Sequence, residues 1–364
     1  MKKTREEQLA LLRLYFSQGL GKVFQRKIIE HFGSAQAALS QSWGKIAIPQ
    51  NLESKPHQEL VIQKASDELE WLEANEGEIV CFLDEAYPPL LRNIHGAPAI
   101  LFSRGKFSDW ENRIPIAFVG TRRATDYGKQ VVQSLISEMK DYPFAIVSGF
   151  AAGLDRFAHE AALKAGLPTI GMLGTGLQFI YPKENEKLFY EILPTGLFLT
   201  EYSRESLPHP GHFPERNRLI SGVSQAVILV ETPEKSGALI TAEFALEQGR
   251  EVMAVPGSIF SPLHKGCHQL IQQGAKLVGS LKDILDELGL LDRKEEVEKI
   301  DEVIEVNLDD LEKNLFSSLH HEPLHIDKIT EISKLAPSSV AGSLTSLILK
   351  GLIKELPGKY FVKN

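Results

Sequence analysis

The residues of this chain best suited to chemistry lie between Phe213 and Gly249, in the stretch FPERNRLISGVSQAVILVETPEKSGALITAEFALEQG. An aromatic ring, Phe213, precedes Arg216, Asn217 and Arg218, and an apolar, helix-compatible turn follows. Beyond a strand-like run, Ala226–Val230, come Lys235, Ser236, Gly237 and Ala238, at the entry to an amphipathic helix that ends at Gly249. Two guanidiniums, an amide, an ammonium and the free N–H groups of a helix start make a donor-rich ledge suited to phosphates. The neighbouring ring offers a face on which a base could stack. The same residues also fit a plainer arrangement, with the arginines paired to surface acids and Phe213 in the core. The stretch by itself leaves both open.

The elements that must hold these side chains begin near Ile114, where short apolar runs start to alternate with helical patterns. Strands are predicted at Ile116–Val119, Ala145–Val147, Thr169–Leu173, Leu197–Thr200, Ala226–Val230 and Val252–Val255. Helices are predicted between them, at Tyr127–Lys140, Leu154–Lys164, Asn185–Leu193, Ile220–Val223 and Ala238–Gln248. Runs that are apolar throughout belong to strands covered on both faces. Repeated strand–helix units of this kind wind into an α/β, extended Rossmann-like, mostly parallel sheet with right-handed crossovers. Short strands at Glu78–Leu83 and Ala99–Phe102 read as connecting structure without chemistry.

Ligands of doubly wound sheets sit beyond the carboxyl ends of the strands, and the unusual residues of this chain fall there. Gly120, Arg122 and Arg123 follow the first strand, and Ser148, Gly149, Phe150 and Gly153 the second. Lys183 comes after the third, and a long loop runs from the fourth to Arg218. Lys235 follows the fifth and Lys265 the sixth. Glycines suit such turns because backbone that approaches a ligand leaves no room for a Cβ. Arg122, Lys183, Arg216, Arg218, Lys235 and Lys265 on one rim make a polyanion site.

Other chemistries lack their residues. The first turn has no G-x-G-x-x-G, and no G-x-x-x-x-G-K-S/T occurs, so neither a dinucleotide site nor a nucleotide triphosphatase loop is indicated. Histidines and carboxylates show no metal spacing, His159 reads as structural, and neither metal nor cofactor is expected. The two cysteines, Cys81 and Cys267, argue for a reducing, cytoplasmic compartment. The chain is 43% hydrophobic and 24% charged, with no apolar run that would span a bilayer. Its start, MKKTREEQLALLRLYF, reads as an amphipathic helix and not a signal peptide. A net charge of −8 means that any nucleic acid must be held by a local patch.

At 364 residues several domains are expected. The division predicted is a helical domain at 1–80, the α/β domain at 81–288, a charged linker at 289–307 and a small domain at 308–364. In the first, Gly19-Leu20-Gly21-Lys22 lies between two short helices, as in helix-hairpin-helix (or SAM-like) modules, or in any helical hairpin. In the last, helices at Leu308–Leu319, Ile326–Lys334 and Ser338–Leu349 precede two strands within 351–362, the pattern of a winged helix. Its third helix carries no arginine, and Lys350 stands just past its end, so a protein contact or a weak role is expected there over base reading.

Taken together, the chain resembles the DNA-processing protein A (DprA, also called Smf) family of bacteria. The resemblance is carried by VGTRRATDYG at Val119–Gly128, SGFAAGLD at Ser148–Asp155 with His159, GTGL at Gly174–Leu177 with Tyr181, Pro182 and Asn185, FPERNR at Phe213–Arg218, SGALITA at Ser236–Ala242, and Gly249–Val252 through Ala254–Gly257. It implies single-stranded DNA binding without catalysis, a homodimer, and loading of RecA recombinase during natural transformation. Carried over by motif, the DNA contacts are Arg122, Ser148, Gly149, Lys183, Phe213, Arg216 to Arg218 and Lys235 to Ala238. Ala152, Gln178 and Cys267-His268 depart from the family pattern. Two alternatives stay in view. A phosphoribohydrolase-like enzyme would use Thr241 and Glu243, although its P-G-G-x-G-T turn is replaced by Glu234-Lys235-Ser236-Gly237. A transcription regulator would use the winged helix and prefer duplex DNA.

Overall fold

A computed structural model of the chain describes residues 3–44, 46, 52–110, 112–291, 311, 312, 315, 319, 324–333, 335–349, 353–356 and 358–363. They fall into two compact units, Met1–Leu291 and Asp292–Asn364.

The first unit is organised on a nine-stranded sheet. Its strands are β1 (Gly77–Cys81), β2 (Ile100–Gly105), β3 (Ile114–Gly120), β4 (Phe144–Ser148), β5 (Thr169–Met172), β6 (Leu197–Thr200), β7 (Ala226–Val230), β8 (Glu251–Ala254) and β9 (Lys276–Leu277). They lie in the order β1-β2-β6-β5-β4-β3-β7-β8-β9. Every neighbouring pair from β6 to β9 is parallel, whereas β2 runs antiparallel to both β1 and β6. The chain builds outward from β3 through β4 and β5 to β6, then returns to the other side of β3 with β7. The central strand β3 is therefore a switch point, with β4 on one side and β7 on the other.

The six predicted central strands are all present, because each is apolar enough to be covered on both faces; β4, β5, β6 and β7 are buried along their whole length. Two expectations change. The stretches read as connecting structure, β1 and β2, extend the sheet. The long loop predicted up to Arg218 closes earlier, into helix α8 (His212–Val223). Pro214 does not prevent this, since a proline in the first helical turn gives up an N–H that has no intrahelical partner. Phe213 accordingly stands on a helix start and not in a loop. β9 was not predicted: two residues carry no periodicity.

The remaining helices of this unit are α1 (Arg5–Phe16), α2 (Lys22–Phe32), α3 (Ala35–Leu39), α4 (Glu59–Ala74), α5 (Asp126–Glu138), α6 (Leu154–Lys164), α7 (Glu186–Ile192), α9 (Gly237–Glu247), α10 (Lys265–Gln272) and α11 (Leu281–Glu287). Alternate residues of β3 feed two cores. Ile116 and Phe118 pack with α5, α6 and α11, while Ala117 and Val119 belong to a larger core shared with α1–α4, α8 and α9. The helices of residues 5–74 are thus packed on the sheet. His159 is fully buried, with Nδ1 2.7 Å from the Thr169 hydroxyl. Burial holds its pKa down at about 3, in keeping with a structural histidine.

The second unit contains β10 (Leu324–His325), α12 (Ile326–Ser333), α13 (Pro337–Leu349), β11 (Ile353–Leu356) and β12 (Tyr360–Lys363), the strands in the order β10-β12-β11. Its core includes Ile329, Val340, Leu344, Leu347, Ile353 and Phe361. The predicted linker at 289–307 lies outside the described residues except for 289–291. Most of the predicted helix Leu308–Leu319, and Lys350, also lie outside them.

Candidate nucleic-acid interface

A cleft of about 520 Å³ opens at the carboxyl ends of β3 and β7, beside the switch point. One wall is the turn after β3, Gly120-Thr121-Arg122, and the other is Lys235-Ser236-Gly237-Ala238 at the start of α9. Helix α8 contributes Phe213, Arg216 and Asn217. Ala151 and Asp155 reach in from the β4–α6 turn, and Tyr181 from the loop after β5.

Local sequence explains each wall. A Cβ on Gly120 would lie 2.0 Å from the Val230 carbonyl oxygen, so only glycine lets β3 end this close to β7. Gly153 has φ +76, and a Cβ there would meet the Arg122 backbone at 2.5 Å. Ser236 caps α9, its hydroxyl accepting from Ala238 N–H at 3.3 Å. The start of α9, the positive end of its helix dipole, lies on the cleft wall. Asn217 donates to the Gly237 carbonyl at 3.0 Å and ties α8 to this start.

Phe213 is half-buried, lying on Gly174 and against Tyr181, with ring centroids 5.4 Å apart. The exposed Arg122 guanidinium stands 5.5 Å from the Phe213 ring centroid, a cation on an aromatic face. A cation, a ring and a helix start therefore surround one concavity.

Arg216 occupies the floor. It is 3% exposed, and its Nη1 donates to the carbonyls of Gly149 and Met172 at the ends of β4 and β5. Burial lowers its pKa to about 10, so it is still a cation at neutral pH. Buried Asp155 offsets part of that charge, accepting from Gly149 N–H at 3.1 Å and Ala151 N–H at 3.3 Å. Burial pushes the Asp155 carboxyl up, with Arg216 opposing.

The predicted site residues divide accordingly. Gly120, Arg122, Phe213, Arg216, Asn217, Lys235, Ser236, Gly237 and Ala238 line the cleft. Gly149 borders a smaller adjoining recess, and Gly153 backs the Arg122 turn. Arg123, Lys183 and Lys265 are exposed but stand off the cleft wall. Three side-chain roles need correction. Ser148 is fully buried and donates to the Phe118 carbonyl at 2.7 Å. Phe150 is fully buried against Phe198, ring centroids 4.9 Å apart. Arg218 points away to Glu201, at 2.5 Å, and to the Gly96 carbonyl, at 2.9 Å. An apolar ring and a short hydroxyl at a strand end were more useful to the core than to a ligand. Arg218 answers a buried acid.

Sequence reasoning missed Thr121, Asp155 and Tyr181 as lining residues, and named Thr241, which also lines the cleft, only for the enzyme alternative. The signal for Asp155 was available: an acid on the first turn of a helix, six positions after Gly149, is placed to receive loop N–H groups. Lys22, from the glycine-flanked turn of the helical segment, is held by Glu201 and Glu215, each at 2.7 Å. Among the described residues, no group of His, Cys, Asp and Glu is placed to hold a metal, and no helix is long and apolar enough to cross a membrane.

The fold is a doubly wound α/β sheet with a cleft at its switch point, lined by the cations Arg122, Arg216 and Lys235. Residues 78–289 match the family described as DNA recombination-mediator protein A, and residues 303–359 match the DprA winged helix domain. This chain belongs to the DNA recombination-mediator protein A (DprA) family. It is 48% identical over 202 residues to the DNA processing protein DprA of Bacillus subtilis (strain 168), a match covering 56% of this chain and 68% of that one. The X-ray structure of DNA processing protein A from Streptococcus pneumoniae superposes with a TM-score of 0.64 at 35% identity, covering 79% of this chain and 99% of that one. A structure of DNA processing protein A from Helicobacter pylori, described for its unique single-stranded DNA binding mode, gives a TM-score of 0.53 at 30% identity, covering 58% and 95%. The family match and the mixed α/β sheet agree with the reading of the sequence, and the second unit is a winged helix.

Proposed function

We propose that this chain is a non-catalytic, cytoplasmic single-stranded DNA-binding protein that protects incoming DNA and loads RecA recombinase during natural transformation and recombination. The observation that carries the DNA-binding part is Arg122 standing on the Phe213 ring at the mouth of a cleft whose far wall is the start of α9. Stacking on a ring and phosphate contacts from cations suit a strand of any sequence. The Helicobacter pylori relative lends the strand its single-stranded character. RecA loading rests on family membership. A homodimer rests on the same ground, and exposed Ile259, Phe260 and Leu277 offer apolar surface for it. In this reading residues 1–80 form the helical support, 81–288 bind DNA, 289–307 link, and 308–364 act separately.

An enzyme reading is weaker. Thr241 lines the cleft, but Glu243 is exposed on α9 and does not, and Asp155 is committed to two backbone N–H groups. The deciding experiment is a titration of labelled single-stranded and duplex DNA at several salt concentrations, with the whole chain and with a chain ended at Leu291. Both forms should prefer the single strand, with a log–log salt slope of roughly −0.7 per phosphate neutralised. A flat slope or a preference for duplex would refute the reading.

A further inference from the structure

Glu231 is the first residue after β7, and it has no part in the contacts assigned above. It is 1% exposed, and its backbone takes a left-handed conformation, φ 48, that residues other than glycine adopt uncommonly. Such strain persists only where the surroundings impose it, and it collects at functional sites.

Its hydrogen bonds show what is imposed. The Glu231 carbonyl accepts from Thr121 N–H at 3.0 Å. One carboxylate oxygen accepts from Thr125 N–H at 2.8 Å and the other from the Thr125 hydroxyl. A single residue therefore grips both ends of the turn Thr121–Thr125, and the residues between the grips include Arg122. Gly128, on the first turn of α5, provides the space: a Cβ there would lie 2.3 Å from the carboxylate. On its other side, Glu231 begins the loop that carries Lys235, the opposite wall of the cleft.

We propose that Glu231 is a positioning residue for strand binding, holding the Thr121–Thr125 turn so that the Arg122 guanidinium stands on the cleft wall. The inference rests on the proposed single-stranded DNA binding at this cleft. It assigns Glu231 no contact with DNA.

The test measures binding of labelled oligothymidylate across a salt series, beside melting curves, for the wild type, R122A, E231A, E231Q, T125A, T125S and E231A/R122A. R122A should weaken binding about tenfold, the loss of one charged contact, and flatten the slope by roughly 0.7. E231A should reproduce both effects, and adding R122A to it should change nothing further, because the two act as one unit. E231Q and T125S, which keep an acceptor and a hydroxyl in place, should bind like the wild type. T125A should weaken binding about threefold, and it carries the comparison if E231A does not fold. Wild-type affinity and slope in folded E231A, or in T125A if E231A is unfolded, would overturn the inference. So would a lowered melting temperature alone, or full additivity with R122A. If the wild type itself shows no salt-dependent binding, the functional reading falls as well. That outcome is distinct, because it appears in the wild-type curve.

Discussion

Replacing Phe213 by alanine separates the proposed stacking surface from the core, because in the proposed reading this ring serves both. A base resting on an aromatic side chain is worth about 1–3 kcal/mol. Here the ring already carries the Arg122 guanidinium, an exposed cation–π contact worth about 0.5–1 kcal/mol, part of which a base must replace. The net loss on truncation is then about 1–2 kcal/mol, or about 5- to 30-fold in Kd. The salt slope should hold, since Arg122 and Lys235, the proposed phosphate contacts, are both retained. Stability should fall too. A fully buried phenylalanine costs about 3–5 kcal/mol when cut to alanine, and Phe213 is half-buried against Tyr181 and Gly174, so about 1–2 kcal/mol is expected. Fluorescence anisotropy with a labelled oligonucleotide, beside thermal melts of F213A, F213L and F213W, resolves the two roles. F213L keeps apolar bulk without a π-face and should bind as poorly as F213A while melting closer to the wild type. F213W should bind well. Wild-type affinity in F213L would refute the stacking argument.

Two further outcomes follow from buried charges. R216K should lose about 1–3 kcal/mol of stability, since one ammonium cannot reproduce the guanidinium fork between Gly149, Met172 and Asn217; a melting temperature equal to the wild type would contradict this. Glu68 on α4 is buried and accepts from Arg204 N–H at 2.8 Å, and burial lifts its carboxyl to about 7 against the opposing pull of Arg204. The folded state therefore binds this proton more tightly than the unfolded chain does, and stability falls as pH rises from about 4.5 through about 7, by roughly 3 kcal/mol from this group. E68Q should flatten that fall in a pH series of melts, and an unchanged fall would sink the assignment.

The parallel sheet was legible because burial on both faces leaves a plain mark, an unbroken apolar run, and Leu197–Thr200 and Ala226–Val230 coincide with β6 and β7. The antiparallel β1 and β2 were not recognised as sheet, since short strands joined by proline-rich turns look like connection. Around the cleft, cations and glycines pointed to turns that the structure brings together. What could not be read was direction. Arg216 and Arg218 are two positions apart, yet on a helix that spacing turns one toward the cleft floor and the other toward Glu201. Ser148 and Phe150 carry residue types common at ligand sites, and only packing shows that both face inward. Glu231 gave no local sign at all, since its partner Thr125 is 106 positions away.

That separation has a consequence in time. β3 and β7 lie side by side, but the ribosome delivers β7 only after β4, β5, β6 and their helices have appeared. At about 5–20 residues per second, roughly 5–20 s pass between Thr125 and Glu231. During that interval β3 has one flank unpaired, and neither the Arg122 turn nor the wall opposite it can be held in place. A nascent chain that has not yet passed α9 has no cleft, even though most of the residues of the first unit have already been made.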